Sequence, residues 1–328
     1  MDNAKNKNKV KIAYIYYSLQ FFVKQDRDLL SKHFTVYELN FKSMFDLFKL
    51  ILVISKSDIT YSWFAGGHAF LAVILSKIFR KKSIVIAGGG DVAYLPEIDY
   101  GAMRKYQRSR FFSNFVLKYA DVVLAVSNFT KEEVLRWQKP NKMEVIYNGI
   151  DTKKKQCVHK KENMVVTIAN RYKLKGIKTF VEASAHFPNL VFVVIGSAGY
   201  DIKNPPTNVI VTGNIINDEV INWLSKSKVY CQLSYYESFG MGLAEAMACG
   251  CIPVATNRAA LPEVVGDAGI LVPYDDTSAA VEAIKKALNM DGNHARKRVI
   301  TKFELGKRES RLVDIITFLM RKSTEPTV

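Results

Sequence analysis

Short apolar runs alternate with helical segments along this chain, and no other feature constrains the fold as tightly. Residues 10–17, 35–39, 58–64, 83–87, 121–126 and 143–147 read as strands. Segments of helical character at 26–33, 41–54, 66–80, 102–119 and 131–138 fall between them. Strands that are apolar along their whole length need cover on both faces, and a helix after each strand makes the sheet parallel. A polar, lysine-bearing stretch at 151–163 interrupts the rhythm and reads as a linker. The alternation then restarts, with strands at 165–169, 191–195, 209–212, 229–233 and 252–255. Helices are expected near 177–186, 218–225, 243–248 and 278–288, and a final helix at 310–321. The expected fold is α/β, with two doubly wound, Rossmann-like domains. The first covers 1–150 and the second 151–309, with the helix at 310–321 a candidate to pack back on the first. A length of 328 residues and a hydrophobic content of 48% suffice for two cores.

One stretch carries the chemistry: Glu237-Ser238-Phe239-Gly240-Met241-Gly242-Leu243-Ala244-Glu245, continuing to Gly250. The apolar run before it reads as a buried strand, and the residues from Leu243 to Ala248 are mostly strong helix formers. The layout is therefore strand, glycine loop, helix. Gly240 and Gly242 allow unusual φ angles and a close approach by a ligand. The first helical turn offers unpaired N–H groups and the positive end of the helix dipole, which suits a phosphate. Glu237 on the loop and Glu245 on the first turn are strong acceptors for sugar and ribose hydroxyls. A nucleotide sugar fits this arrangement. An ordinary loop–helix junction with two solvated glutamates fits the spacing equally well.

The stretch continues Ala246-Met247-Ala248-Cys249-Gly250-Cys251-Ile252-Pro253-Val254, and with its Glu-x7-Glu spacing it resembles the signature of family 4 retaining glycosyltransferases of the GT-B fold. That family has two Rossmann-like domains facing across a cleft. The resemblance implies that Glu237 faces the donor sugar and Glu245 holds the ribose. It also implies backbone contacts from Ser238, Phe239, Gly240, Met241, Gly242 and Leu243 to the sugar and diphosphate. Val145-Ile146-Tyr147-Asn148-Gly149-Ile150-Asp151 is similar to the family's domain junction. Arg171 and Lys175-Gly176 resemble its diphosphate-binding cation pair, and two cations there would neutralise a departing diphosphate. Gly196 and Gly213-Asn214-Ile215 match loops that meet the nucleotide base; as plain sequence they are also turn chemistry.

The first domain departs from the family pattern. Many relatives carry a glycine pair after the first strand, where this chain has Ser18-Leu19-Gln20-Phe21. Many place a histidine after the fourth strand, where this chain has Gly88-Gly89-Gly90-Asp91. Asp91 is the candidate for a polar role beside the donor sugar, or an N-cap. His68, next to Gly66-Gly67, is the second candidate, or a locally bonded residue at a helix start.

Net charge is +16, which predicts attraction to polyanions. Arg104, Lys105, Arg108 and Arg110 lie beside Phe111 and Phe112 on one expected helix, a composition suited to an anionic membrane surface. No nucleic-acid motif accompanies the charge, so no nucleic-acid partner is expected. Cys157, Cys231, Cys249 and Cys251 form no metal or disulfide pattern. Residues 1–9 lack the apolar core of a signal peptide, and no apolar stretch is long enough to span a bilayer. A cytoplasmic protein is the expectation, and two readings of its basic surface stay open: docking on the inner membrane face, or the solvated outer face of a soluble enzyme. The function expected is transfer of a sugar, with retention, from a nucleoside diphosphate donor to a lipid-linked, polysaccharide or other glycan acceptor. The family implies no cofactor and no metal. Two alternatives stay open: a nucleotide-sugar epimerase of the same architecture, and a catalytically inactive nucleotide-sugar-binding subunit.

Overall fold

The computed structural model describes residues 9–105, 107–154 and 160–322. The chain forms two compact units, one of Met1–Gly149 with Gly306–Val328 and the other of Ile150–Leu305. The first unit runs β1 (Lys11–Tyr16), α1 (Phe21–His33), β2 (Thr35–Asn40), α2 (Leu47–Ser55), β3 (Ile59–Trp63), α3 (Gly67–Ile78) and β4 (Lys82–Ala87). It continues with α4 (Ala102–Lys105), α5 (Gln107–Tyr119), β5 (Val122–Ala125), α6 (Asn128–Trp137) and β6 (Met143–Val145). The sheet is parallel throughout, in the order β2-β1-β3-β4-β5-β6. β3 and β5 are buried at every position, as a strand covered on both faces must be.

The second unit runs β7 (Glu162–Ile168), α7 (Ile177–Ser184), β8 (Val191–Ile195), β9 (Val209–Gly213), α8 (Asn217–Lys226) and β10 (Ser227–Gln232). After these come α9 (Met241–Ala248), β11 (Ile252–Thr256), α10 (Leu261–Val265), β12 (Ile270–Val272), α11 (Thr277–Ala287) and α12 (Asn293–Phe303). Its parallel sheet has the order β12-β11-β10-β7-β8-β9. The strand order reverses between β7 and β10, and in open α/β sheets ligands bind outside the carboxyl ends of the strands at such a reversal. The predicted α/β class with two doubly wound sheets is what the chain adopts.

α13 (Leu305–Lys322) returns the chain to the first unit. Its Arg308 is 3% exposed. The guanidinium donates from Nε and Nη2 to the two carboxylate oxygens of Asp26, each at 2.6 Å, and from Nη1 to the carbonyls of Ile146 and Tyr147 at 2.9 Å. Tyr61 donates its hydroxyl to the same aspartate at 2.7 Å. Three donors thus meet the buried carboxylate and four acceptor oxygens the buried guanidinium, either of which would be costly to bury alone.

Three local readings change. α1 begins at Phe21 rather than near residue 26, because Val23 is already turned into the core. α12 went unread because charged residues dominate it; Ala295, Val299 and Phe303 bury a stripe only one residue wide at a four-residue spacing. In α2 and the turn before it, Leu50 and Ile54 face the core, whereas Met44, Phe45, Phe48 and Leu52 are exposed. The amphipathic pattern over 41–54 puts Met44, Phe45, Leu47, Phe48, Ile51 and Leu52 near one expected core face; none of these is buried, and the core takes Leu50 and Ile54 instead.

Candidate active site

β10 presents two different faces. Val229, Cys231 and Leu233 enter the apolar core of the second unit. Tyr230, Gln232 and Ser234, offset by one residue, point the other way, since alternate side chains of a strand leave on opposite sides. All three are buried. They form a polar ladder: the Tyr230 hydroxyl donates to Gln232 Oε1 at 2.8 Å, and Gln232 Nε2 donates to Ser234 Oγ at 2.7 Å.

The ladder ends on Glu237. Its Oε1 accepts from Gln232 Nε2 and from Ser234 Oγ, each at 3.0 Å, and pairs with the ammonium of Lys175. Three donors on one oxygen fix the carboxylate, and among the described residues no donor reaches Oε2. The loop itself is pinned to the sheet. The Glu237 carbonyl accepts from Ala260 N–H at 3.1 Å, and the Ser234 carbonyl accepts from the Thr256 hydroxyl at 2.6 Å.

Lys175 arrives from the loop after β7. Gly176 ends that loop with φ of 64° and opens α7. A Cβ on Gly176 would sit 1.9 Å from the Leu233 carbonyl oxygen, so only glycine lets this turn press against the end of β10. Tyr235 N–H donates to the Leu174 carbonyl at 2.9 Å and ties the two loops together. Arg171 lies on the same loop, its carbonyl accepting from Lys175 N–H at 3.1 Å. The reversal point between β7 and β10 is where these groups gather.

Gly240, with φ of 94°, precedes the first turn of α9, and Met241 and Gly242 begin that helix. A Cβ on Gly242 would lie 2.8 Å from the Tyr230 hydroxyl. Glu245 stands further along α9, half-buried. Burial first, then the negative charges of Glu237 and Glu245, hold the Tyr230 phenol well above its usual range, so it stays a neutral donor. Phe239 and Leu243 are buried, and Ser238 lies between Glu237 and Phe239 on the loop. Gly196 (φ 107°) and Gly213 (φ 67°) meet at the ends of β8 and β9, Gly196 N–H donating to the Gly213 carbonyl at 2.8 Å. Asn214 follows exposed and Ile215 half-buried. Tyr230, Gln232 and Ser234 were not singled out in the sequence. Their signal was a glutamine inside an otherwise apolar strand, in phase with a tyrosine and a serine two residues to either side.

Of the two polar candidates of the first unit, His68 lies in the first turn of α3 and Asp91 in the loop after β4. Asp91 is buried, and its carboxylate accepts from the N–H groups of Ala65 at 2.8 Å, Gly88 at 3.0 Å and Gly89 at 2.8 Å. Burial raises its pKa to about 6, against those bonds. His68 is buried, with Nε2 2.7 Å from the Trp63 carbonyl. Burial lowers its pKa to about 4, so the ring is neutral and Nε2 carries the proton. Cys231, Cys249 and Cys251 are buried free thiols, and Cys157 lies outside the described residues. Among the described residues no cluster of His, Cys, Asp and Glu is placed to hold a metal ion.

Residues 150–303 match the family model described as glycosyl transferases group 1, and residues 28–154 match that of glycosyltransferase family 4. The chain is 27% identical over 298 residues to N-acetyl-alpha-D-glucosaminyl L-malate synthase of Bacillus anthracis, covering 80% of this chain and 75% of that one. It is 28% identical over 220 residues to alpha-maltose-1-phosphate synthase of Mycolicibacterium smegmatis, covering 56% and 57%. Among solved structures it superposes on sucrose-phosphate synthase from Thermosynechococcus elongatus with a TM-score of 0.74 at 18% identity, over 96% of this chain and 100% of that one. Anabaena HepE in complex with UDP-glucose gives 0.74 at 15% identity, over 94% and 99%. At such identities the structures speak for the fold alone. Fold and site together define a glycosyltransferase of the GT-B fold. The chain belongs to the family 4, group 1 glycosyltransferases.

Proposed function

We propose that this glycosyltransferase takes a sugar from a nucleoside diphosphate donor held by the second unit and transfers it, with retention and without a metal, to a glycan or lipid-linked acceptor. The observation that carries the reading is Glu237, fixed through one oxygen by Lys175, Gln232 and Ser234, while no donor among the described residues reaches its second oxygen. That second oxygen accepts from the donor sugar's hydroxyls. Glu245 accepts from the ribose, and the backbone of Ser238, Phe239, Gly240, Met241, Gly242 and Leu243 meets sugar and diphosphate. Gly196, Asn214 and Ile215 meet the base. Arg171, Lys175 and the first turn of α9 stabilise the departing diphosphate and so take the place a metal ion has in other transferases. The acceptor oxygen bonds to the anomeric carbon as the carbon–phosphate oxygen bond breaks, and the acceptor's proton passes to the leaving diphosphate. Asp91 enters the proposal as the residue that holds the Gly88–Gly90 loop in shape.

A panel of nucleoside diphosphate sugars, UDP-glucose first because HepE binds it, tests this by thermal shift in EDTA and in magnesium. A ligand that binds only the folded protein raises its melting temperature. One nucleotide sugar is expected to shift the wild type equally in both buffers and to leave Glu245→Ala unshifted. Transfer to a glycan acceptor should then be lost in Glu237→Ala. A panel without any shift, or transfer by Glu237→Ala at the wild-type rate, overturns the proposal.

A further inference from the structure

The first unit carries an apolar stripe that the transfer reaction does not use. Helix α2 and the turn before it are apolar on the inner side, where Leu50 and Ile54 are buried. They are apolar on the outer side as well: Phe45 is 95% exposed, Phe48 69%, Met44 61% and Leu52 40%. Positions 45, 48 and 52 follow the three-and-four spacing of one helical face. A helix that is apolar all round belongs to a buried environment, so this outer face calls for a cover.

The charges around the stripe say what covers it. Lys42 before that turn, Lys49 within α2 and Lys56 just after its last residue are all exposed. Between Lys42 and Lys82 the acidic residues are Asp46 and Asp58 alone. Both are engaged: Asp46 accepts from the N–H groups of Lys42 and Ser43 and pairs with Lys49, and Asp58 accepts from Lys11 N–H. A second copy of the chain seated on this face would set three lysines against three lysines with one acid on each side, Asp46, an arrangement that like charges oppose. A surface of anionic headgroups over hydrocarbon matches both components. Helices with aromatic side chains on one face and lysines beside them lie at that boundary. No helix among the described residues is long and apolar enough to cross a bilayer.

The expected membrane helix was α4–α5. There Phe112 and Phe115 pack on Phe70, with ring centroids at 4.7 and 4.8 Å. That leaves Phe111 as the exposed phenylalanine of the pair expected to meet lipid, at 58%. The α2 face offers more apolar side chain to a bilayer. We infer that the face formed by Met44, Phe45, Phe48 and Leu52, with Lys42, Lys49 and Lys56, docks this enzyme on an anionic lipid surface, the rings inserted and the lysines at the headgroups.

Flotation of the full-length protein with vesicles tests the inference. Wild type is expected to float with phosphatidylcholine–phosphatidylglycerol vesicles and to stay behind with phosphatidylcholine alone. Phe45→Ser/Phe48→Ser should lose flotation while keeping the wild-type melting temperature, since neither ring is packed. Lys49→Glu/Lys56→Glu should bind at least tenfold more weakly, because each lysine near such a surface contributes about fivefold. Light scattering on the same proteins in solution separates the remaining occupant. Wild type that stays behind with anionic vesicles, or either variant floating like wild type, overturns the inference. So does a wild-type dimer that Phe45→Ser/Phe48→Ser converts to monomer, which would make the face a protein interface. None of these readouts involves a sugar donor, so failure here leaves the proposed reaction untouched.

Discussion

Gln232→Leu is the sharpest probe of the site, because it keeps the volume of the side chain and deletes only its amide. The change removes the bond from Nε2 to Glu237 at 3.0 Å and strands the Tyr230 hydroxyl, whose acceptor is Gln232 Oε1 at 2.8 Å. A hydrogen bond to a charged group is worth about 1.5–3 kcal/mol, and a buried hydroxyl left unpaired costs about 1–3 kcal/mol. Leucine returns part of this through its own burial, about 1.5–3 kcal/mol for a fully buried side chain. A net loss of roughly 2 kcal/mol of stability follows, which lowers the melting temperature of a unit this size by about 4–8 °C. The larger effect falls on the reaction. Glu237 keeps Lys175 and Ser234 but loses the donor that fixes its orientation, and a small misplacement of a positioning group costs on the order of a hundredfold in rate. We expect kcat to fall about 10- to 100-fold, with the donor KM within about threefold, since the phosphate contacts remain. Release of nucleoside diphosphate with acceptor present, measured below the onset of melting, gives both constants. Tyr230→Phe removes only the far end of the ladder and should lower kcat less. If folded Gln232→Leu keeps the wild-type kcat while Glu237→Ala abolishes transfer, the ladder does not orient Glu237 and the reasoning fails.

Three further outcomes follow from other parts of the structure. Gly176→Ala places a Cβ 1.9 Å from the Leu233 carbonyl in a residue with φ of 64°; the left-handed conformation alone costs about 1–2 kcal/mol, and the displaced turn should carry Lys175 away and weaken donor binding in a titration. His68 has its pKa lowered to about 4 by burial, so the stability it contributes is present above its ordinary value near 6.5 and lost as pH falls towards 4, while Asp91, raised to about 6, contributes stability below its ordinary value near 3.8 that is lost as pH rises through 6. The two slopes oppose each other, so wild-type urea midpoints should stay nearly level between these limits, and His68→Gln should become more stable on acidification. Arg308→Met leaves Asp26 buried without its counter-ion and should cost about 3–5 kcal/mol, of which Asp26→Asn in the same chain recovers a part; equal urea midpoints for the single and double variants would contradict this.

The fold class was legible because parallel strands buried on both faces are mostly apolar, as β5 and β8 are throughout and β3, β4 and β11 are but for a few serines, threonines and one lysine. The glycine loop was legible for a related reason: Gly240 and Gly176 answer backbone constraints that no other residue meets, so their spacing survives in the letters. The ladder was hard to read because its meaning lies in parity. Tyr230, Gln232 and Ser234 matter only as a set facing away from Cys231 and Leu233, and which face is which depends on what packs above the strand. The outward face of α2 escaped for the same cause: nothing in the order of Phe45, Leu47, Phe48 and Leu50 says which of them the sheet takes.

The buried pair in the first unit sets a schedule for the protein's own making. Asp26 leaves the ribosome early, and the arginine that neutralises it is encoded 282 residues later. At about 5–20 residues per second its partner arrives roughly 15–60 s after it. Until then a carboxylate destined for the interior has to remain in water, and the side of the first sheet that receives α1 and α13 stays open. The second unit, continuous from Ile150 to Leu305, is complete before α13 has been translated. The half that begins the chain is therefore the half that finishes folding last, and a released chain truncated just past Leu305 would have all of the second unit and an unsealed first one.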